Sequence, residues 1–291
     1  MNVFFRIAAI ELARLLSLSS AAVSAFVFSF LSILLILMPI QIYYGSLQIT
    51  DLQLVLMTLP CAFGPAVMVA YAPGIGAGSF DIELGTRRLS RRELDIIGKV
   101  QEQLKACAAK SAVKLPQIVW RVKDTGEINA FAYAHNRVCF TKGILHKYGD
   151  TREGIERLAG VAAHEIGHLR NWDTRISMFL RYLSMPVKFG IGLNNNTICK
   201  IPFVGFVFSI VTTLMRVPCD ISQFLNDSTS QFQELQADRF AGKLMNGVGI
   251  SGFLDDLTHV EERQGDTFSA WLQRSHPPSE LRHDELARGA G

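Results

Sequence analysis

A chain of 291 residues can hold one large domain or two smaller ones, and its 49% hydrophobic content lies near the top of the range for soluble chains. The formal net charge of +3 is too small, and too concentrated beside apolar runs, to point to nucleic acid. Cys61, Cys107, Cys139, Cys199 and Cys219 are scattered with no CxxC spacing, so nothing marks them as metal ligands, and cytoplasmic thiols stay reduced.

The apolar residues are unevenly spread. No charge occurs from Leu15 to Thr50, and after Asp51 none occurs before Asp81. Within these windows Ala21–Tyr44 and Leu52–Tyr71 are each long enough to cross about 30 Å of hydrocarbon at roughly 1.5 Å per residue. A cleaved signal would carry an apolar core of roughly 7–15 residues; the run here is longer and a second follows at once. The opening "MNVFFRIAAIELARLL" sets Glu11 and Arg14 at helical spacing, as a surface-lying stretch or as an extension of the first span. Arg6 and Arg14 precede the first span and Arg87, Arg88, Arg91 and Arg92 follow the second, whereas the loop Gly45–Asp51 has no Lys or Arg. Cytoplasmic flanks carry the positive charge, so both the N-terminus and the chain after about Asp81 are expected on that side. Residues 1–80 thus read as a two-helix membrane anchor and 81–291 as a cytoplasmic-face domain.

"APGIGAGSF" (Ala72–Phe80) lacks the GxGxxG spacing of a phosphate loop and reads as a flexible joint. "SRRE" at Ser90–Glu93 is a capping box, which predicts a helix with Leu94, Ile97, Val100 and Leu104 inward to about Ala109. Strands are expected at Gln117–Val122, Ile128–Ala134 and Arg137–Leu145, with His135 and Asn136 forming a tight turn between the last two. Gly154–Trp172 reads as a helix with Ile155, Leu158, Ala162 and Leu169 inward. Two apolar stretches follow, Ile176–Leu193, interrupted by Arg181 and Lys188, and the uncharged Ile201–Met215. Ser222–Met245 reads as one long helix ended by "NGVG", and further helices are expected at Gly252–Arg263 and from about Ser279.

The helix Gly154–Trp172 contains "AAHEIGHL". His164 and His168, four residues apart, project within about 40° of each other and can share one metal ion. Glu165 lies on the same broad face, where a carboxylate can take a proton from a water that zinc has acidified to a pKa of about 7. A catalytic zinc needs a third protein ligand. "QELQAD" supplies Glu234 as a candidate, with Asp238 one turn on and able to hold a ligand histidine's outer N–H. Taken alone, Glu-x-x-x-Asp is also the pattern of an ordinary solvated helix face.

"HEIGH" followed by "ELQAD" resembles the HtpX and CAAX prenyl endopeptidase group of zinc metallopeptidases. "NAFA" (Asn129–Ala132) is similar to that group's strand beside the active site, and "HPPSELR" (His276–Arg282) resembles its C-terminal His-Pro-Pro motif. Gln233 departs from the asparagine usual before the ligand glutamate. The resemblance implies a mainly α (α+β) fold of the gluzincin kind, with a multi-span helical anchor and a zincin-like domain with a short sheet. It implies one zinc ion per chain on His164, His168 and Glu234, Glu165 as base, and Asp238 behind a ligand. His276 and Arg282 would stabilise the oxyanion, and Asn129, Ala130, Phe131 and Ala132 would pair with a substrate backbone. It also implies a membrane hairpin at about 176–218, although an uncharged core of 15 residues is short for a crossing; a buried helix is the alternative. Expected partners are the bilayer and protein or peptide substrates, chiefly misfolded membrane proteins, in a cell (inner) membrane with the site on the cytoplasmic side. A processing protease with one substrate and a silent adaptor are the rival readings. His135, His146, His259 and His283 have no partner spacing and are assigned no role.

Overall fold

The computed structural model describes residues 3–45, 49–149, 151–245 and 252. In chain order these form α1 (Val3–Tyr44), α2 (Asp51–Tyr71), α3 (Pro73–Glu83), β1 (Thr86–Arg87), α4 (Arg91–Lys110), β2 (Val119–Lys123), β3 (Ala130–Tyr133) and β4 (Arg137–Thr141). There follow α5 (Lys142–Tyr148), α6 (Arg152–Arg170), α7 (Asp173–Leu183), α8 (Met185–Asn196), a 3-10 turn at Ile198–Lys200, α9 (Val204–Ser228) and α10 (Ser230–Met245). The fold is mainly helical with one small mixed sheet. The chain divides into two compact units: Met1–Pro73 with Ser177–Thr229, and Gly74–Ile176 with the described residues from Ser230 onward.

The first unit holds the three described helices long and apolar enough to cross a membrane, in α1, α2 and α9. Helix α1 runs unbroken from Val3, so the opening segment is an extension of the first span. Thr50 and Gln53 close a capping box at the start of α2. Helices α1 and α9 are joined by three serine hydroxyls. Ser17, Ser20 and Ser24 donate to the carbonyls of Ser222 (2.7 Å), Pro218 (2.8 Å) and Met215 (2.7 Å). Ala21 and Ala25 of α1 are also buried, small side chains of the kind that let helix backbones come close. Within α9, Arg216 and Asp220 pair with each other at 3.4 Å. Of the two arms expected between 176 and 218, only α9 has the length of a span. At 12 residues α8 is about 18 Å long, too short to cross.

In the second unit the sheet runs β1-β2-β4-β3, parallel between β2 and β4 and antiparallel elsewhere, which leaves β3 at an edge. One sheet face supplies Trp120, Val122, Val138 and Phe140 to the core. They meet Ile96, Ile97, Val100 and Leu104 of α4 and Leu158, Val161, Ala162 and Ile166 of α6. Burial of such side chains is worth about 1.5–3 kcal/mol each and fixes the strand register.

Four expectations are corrected. "APGIGAGSF" is helix α3: Pro73 suits a first turn, and packing of the buried Gly76 and Ala77 overrides glycine's weak helix propensity. Leu94 is exposed and Ile96 takes its inward place on α4. The third strand stops at Thr141, whose Oγ1 accepts from the Ile144 N–H (3.4 Å) and starts α5. Only glycine fits at 143 there, since a Cβ would strike the Gly126 and Glu127 carbonyls. The long helix expected at Ser222–Met245 is broken at Thr229, whose hydroxyl turns back to the Asn226 carbonyl at 2.7 Å. The helices expected at 252–263 and from 279, and "NGVG", lie outside the described residues apart from Gly252.

Candidate metal centre

Two helices of the second unit build the site. Thr151 caps α6 by accepting from the Gly154 N–H (3.1 Å), and from there the helix carries His164, Glu165 and His168 inward. Helix α10 lies against α6 through a small-residue contact. A Cβ at Gly167 would stand 2.8 Å from the Ala237 Cα, so glycine at 167 is what allows the helices this close.

That approach brings three ligand atoms together. His164 Nε2 lies 3.2 Å from His168 Nε2, and the Glu234 oxygens lie 3.2 Å and 3.3 Å from the two nitrogens. Ligand atoms bound tetrahedrally at about 2.0–2.1 Å stand about 3.3 Å apart, so the spacing fits a zinc-sized ion. The outer nitrogens are already held. His164 Nδ1 is 2.8 Å from Asp238 Oδ1, and His168 Nδ1 is 3.0 Å from Asp173 Oδ2. If each ring donates its Nδ1–H to its carboxylate, both Nε2 lone pairs face Glu234, an electron-rich cluster that closes around a cation or around protons. Burial alone would push the His168 imidazole down, but Asp173 and Glu234 outweigh it and push it up to about 10. Against the same opposing burial, Asp238 and Glu234 raise His164.

Glu165 is buried, and its Oε2 accepts from the backbone N–H of Ala132 at 2.6 Å. That amide belongs to the edge strand β3, opposite Val138 of β4. On the same segment Asn129 fixes the strand's entry, its Oδ1 accepting from the Ala130 N–H (2.8 Å) and its carbonyl from the Thr141 N–H (3.0 Å). Ala130 points into the core, and Phe131 points to the opposite face beside Tyr133. Tyr133 in turn donates to Asp81 of α3 (2.6 Å), which also takes Arg121 (3.1 Å) and Arg137 (3.2 Å). Burial opposes the Asp81 charge, but these partners prevail and hold its carboxyl below the usual range.

The structure therefore brings together His164, Glu165, His168, Glu234, Asp238 and Ala132. His276 and Arg282 lie outside the described residues. Asp173, the partner of His168, was missed by the sequence reading, because an acid in the first turn of a helix is ordinary and five residues is no helical spacing. The sequence reading gave Gly167 no role.

Comparison with known proteins agrees with this geometry. The profile described as Peptidase family M48 matches residues 97–289. A "Protease HtpX homolog" of Bacteroides fragilis is 32% identical over 139 residues, which cover 46% of this chain and 39% of that protein. A homolog of the same name in Limosilactobacillus fermentum is 27% identical over 197 residues, 62% of this chain and 64% of that protein. "Protease HtpX" of Pseudomonas putida is 23% identical over 271 residues, 82% and 87% of the two chains. In the first two, then, the match spans less than two thirds of the relative's length.

Proposed function

Because this chain belongs to Peptidase family M48, we propose that it is a membrane zinc endopeptidase whose active site lies at the cytoplasmic face of a cell membrane. The observation that carries the reading is the convergence of His164, His168 and Glu234 within 4.8 Å, beside a carboxylate that reaches an open strand edge. His164, His168 and Glu234 would hold the zinc ion, which when bound would supply a Lewis acid for the scissile carbonyl and lower the pKa of water to about 7.

The chain's own residues do the rest. Asp238 and Asp173 fix the tautomer and orientation of the two imidazoles. The edge strand at Asn129, Ala130, Phe131 and Ala132 pairs with the peptide backbone, so an extended chain of varied sequence is accepted. Glu165 takes the proton of the attacking water on a carboxylate oxygen and passes it to the departing amine nitrogen. The resemblance adds His276 and Arg282 as donors to the developing oxyanion. Backbone recognition in a chain that also carries three helices long and apolar enough to span a membrane suits misfolded membrane proteins as substrates. A silent adaptor would have no use for the intact Glu165.

The test is proteolysis of an unfolded membrane protein by purified chain with zinc, compared with Glu165→Gln. Activity only in the unsubstituted chain is the expected result, and equal activity of the two overturns the reading.

A further inference from the structure

Where the chain enters the edge strand, the loop between β2 and β3 and the helix α5 flank a cavity of about 580 Å³. The loop side contributes Asp124, Thr125 and Ile128, and the helix side Lys142, His146 and Lys147. The two sides are tied together. The Gly143 N–H donates to the Thr125 carbonyl (2.9 Å), and the Thr141 hydroxyl donates to the Glu127 carbonyl (2.6 Å). With no room for a Cβ at 143, loop and helix meet backbone to backbone. The cavity is therefore a fixed part of the fold, and its size lies in the range of ligand sites, about 300–1,000 Å³.

Charge selects the occupant. Lys142, His146 and Lys147 are exposed, and the carboxylate among the lining residues is that of Asp124. Both of its oxygens are already engaged: Arg87 Nε donates to Oδ2 (2.6 Å) and Arg87 Nη2 to Oδ1 (2.8 Å). The side chains of Lys142 and His146 have no hydrogen bond or ion pair among the described residues. Lys147 is steered by its neighbour, with Nζ 5.2 Å from the centroid of the Tyr148 ring. Two ammonium groups and an imidazole, facing a carboxylate that another cation holds, fit an incoming anion through charge-assisted hydrogen bonds. Ile128, 40% exposed, adds an apolar wall that suits the methylenes of an acidic side chain.

Position supplies the rest. The Thr141 N–H donates to the Asn129 carbonyl, so these two residues form a bonded pair of the antiparallel ladder. Bonded and non-bonded pairs alternate, and Ala130 and Ala132 therefore turn their backbone groups away from β4, toward the free edge. Ile128 precedes Ala132 by four residues. At about 3.3 Å per residue, the cavity stands about 13 Å along the edge from the amide that holds Glu165. We propose that Lys142, His146 and Lys147 form a carboxylate-binding subsite at the entry end of the edge strand, which takes an acidic side chain of the substrate about four residues from the one opposite Ala132. The subsite gives a backbone-reading enzyme one point of side-chain preference. It rests on the endopeptidase reading for its place along the substrate.

The test reads binding as well as cleavage. Fluorescent peptides with blocked termini, each carrying one Glu at a successive position against a Gln background, are titrated into full-length Glu165→Gln protein in zwitterionic detergent. The expected result is about fivefold tighter binding for Glu at one position only, fading at about 1 M salt. Adding Lys142→Gln with Lys147→Gln should bring the Glu-to-Gln ratio to about one, and Lys142→Arg with Lys147→Arg should keep it. A flat profile in the protein with both lysines overturns the proposal, whatever the variants do, and so does a preference that survives the double Gln substitution. An equal gain by a Gln peptide with a free C-terminus assigns the cavity to terminal carboxylates and overturns the side-chain form. A preference that needs added anionic lipid assigns the lysines to headgroups and also overturns it. Cleavage of the Gln peptide by the unsubstituted chain is scored separately. Cleavage with a flat binding profile sinks the subsite alone, and a Glu preference without cleavage sinks the protease reading alone.

Discussion

The two units of this chain are built inside out with respect to each other. In the anchor the large apolar side chains face outward, with Leu15, Ile36, Leu52 and Phe206 all exposed, while Ser17, Ser24 and Arg14 are buried. In the other unit Phe140, Leu104 and Leu158 are buried, and most charges face out. The first pattern is stable only in a solvent as apolar as leucine, where helices gain from close backbones and interhelical hydrogen bonds. The second is stable in water, where apolar burial drives folding. Each unit then keeps a few polar groups inside for a different reason. In the anchor they join helices; in the peptidase unit they converge as a group that could hold a metal ion.

Substitutions that remove these inner polar groups should therefore have unequal effects. The largest is expected from Glu165→Gln, which should lower turnover by about 10²–10⁴-fold. Metal content, measured by elemental analysis, should stay unchanged. Asp238→Asn comes next. It keeps the shape but weakens the hold on His164 Nδ1, and zinc affinity by competition with a chelator should fall about 10–100-fold.

A smaller effect is expected at Glu93, which Arg87 and then the Ser90 N–H, against opposing burial, pull down from 4.5 to about 2. A depressed carboxyl stabilises the fold above its unfolded value and loses that contribution as pH falls through the folded one. Denaturant midpoints should therefore drop as pH falls from about 4.5 toward about 2, and Glu93→Gln should flatten this acid limb. The smallest effect is expected in the anchor. Ser24→Ala removes one hydroxyl bridge to the Met215 carbonyl and should cost about 0.6 kcal/mol by unfolding in detergent. A loss several times larger would mean that the anchor uses its polar groups as the peptidase unit does.

The same division explains what could be read from sequence. The local pairs were legible because helical spacing alone puts His164 beside His168, and Glu234 beside Asp238. The capping box at Ser90 and Glu93 was legible because it is a local exchange of two hydrogen bonds. What escaped depends on partners distant in the chain. Helix α3 looks like a glycine loop until its buried face is known, and Asp173 becomes a histidine partner only through the corner at Trp172. The arm before α9 falls into two short helices, α7 and α8, neither of them as long as a span, and the break at Thr229 has no sequence punctuation.

The contact at Gly167 has one more consequence. His164 and His168 stand on one helix and Glu234 on another far along the chain, and the two backbones touch at Gly167 and Ala237. An unfolded chain offers no preformed cage, so the free energy of holding an ion there would also be free energy of docking the helices. Chelation should loosen this unit as well as silence it. Position 167 acts as a gauge: a single methyl group there would part the donors that the ion must span.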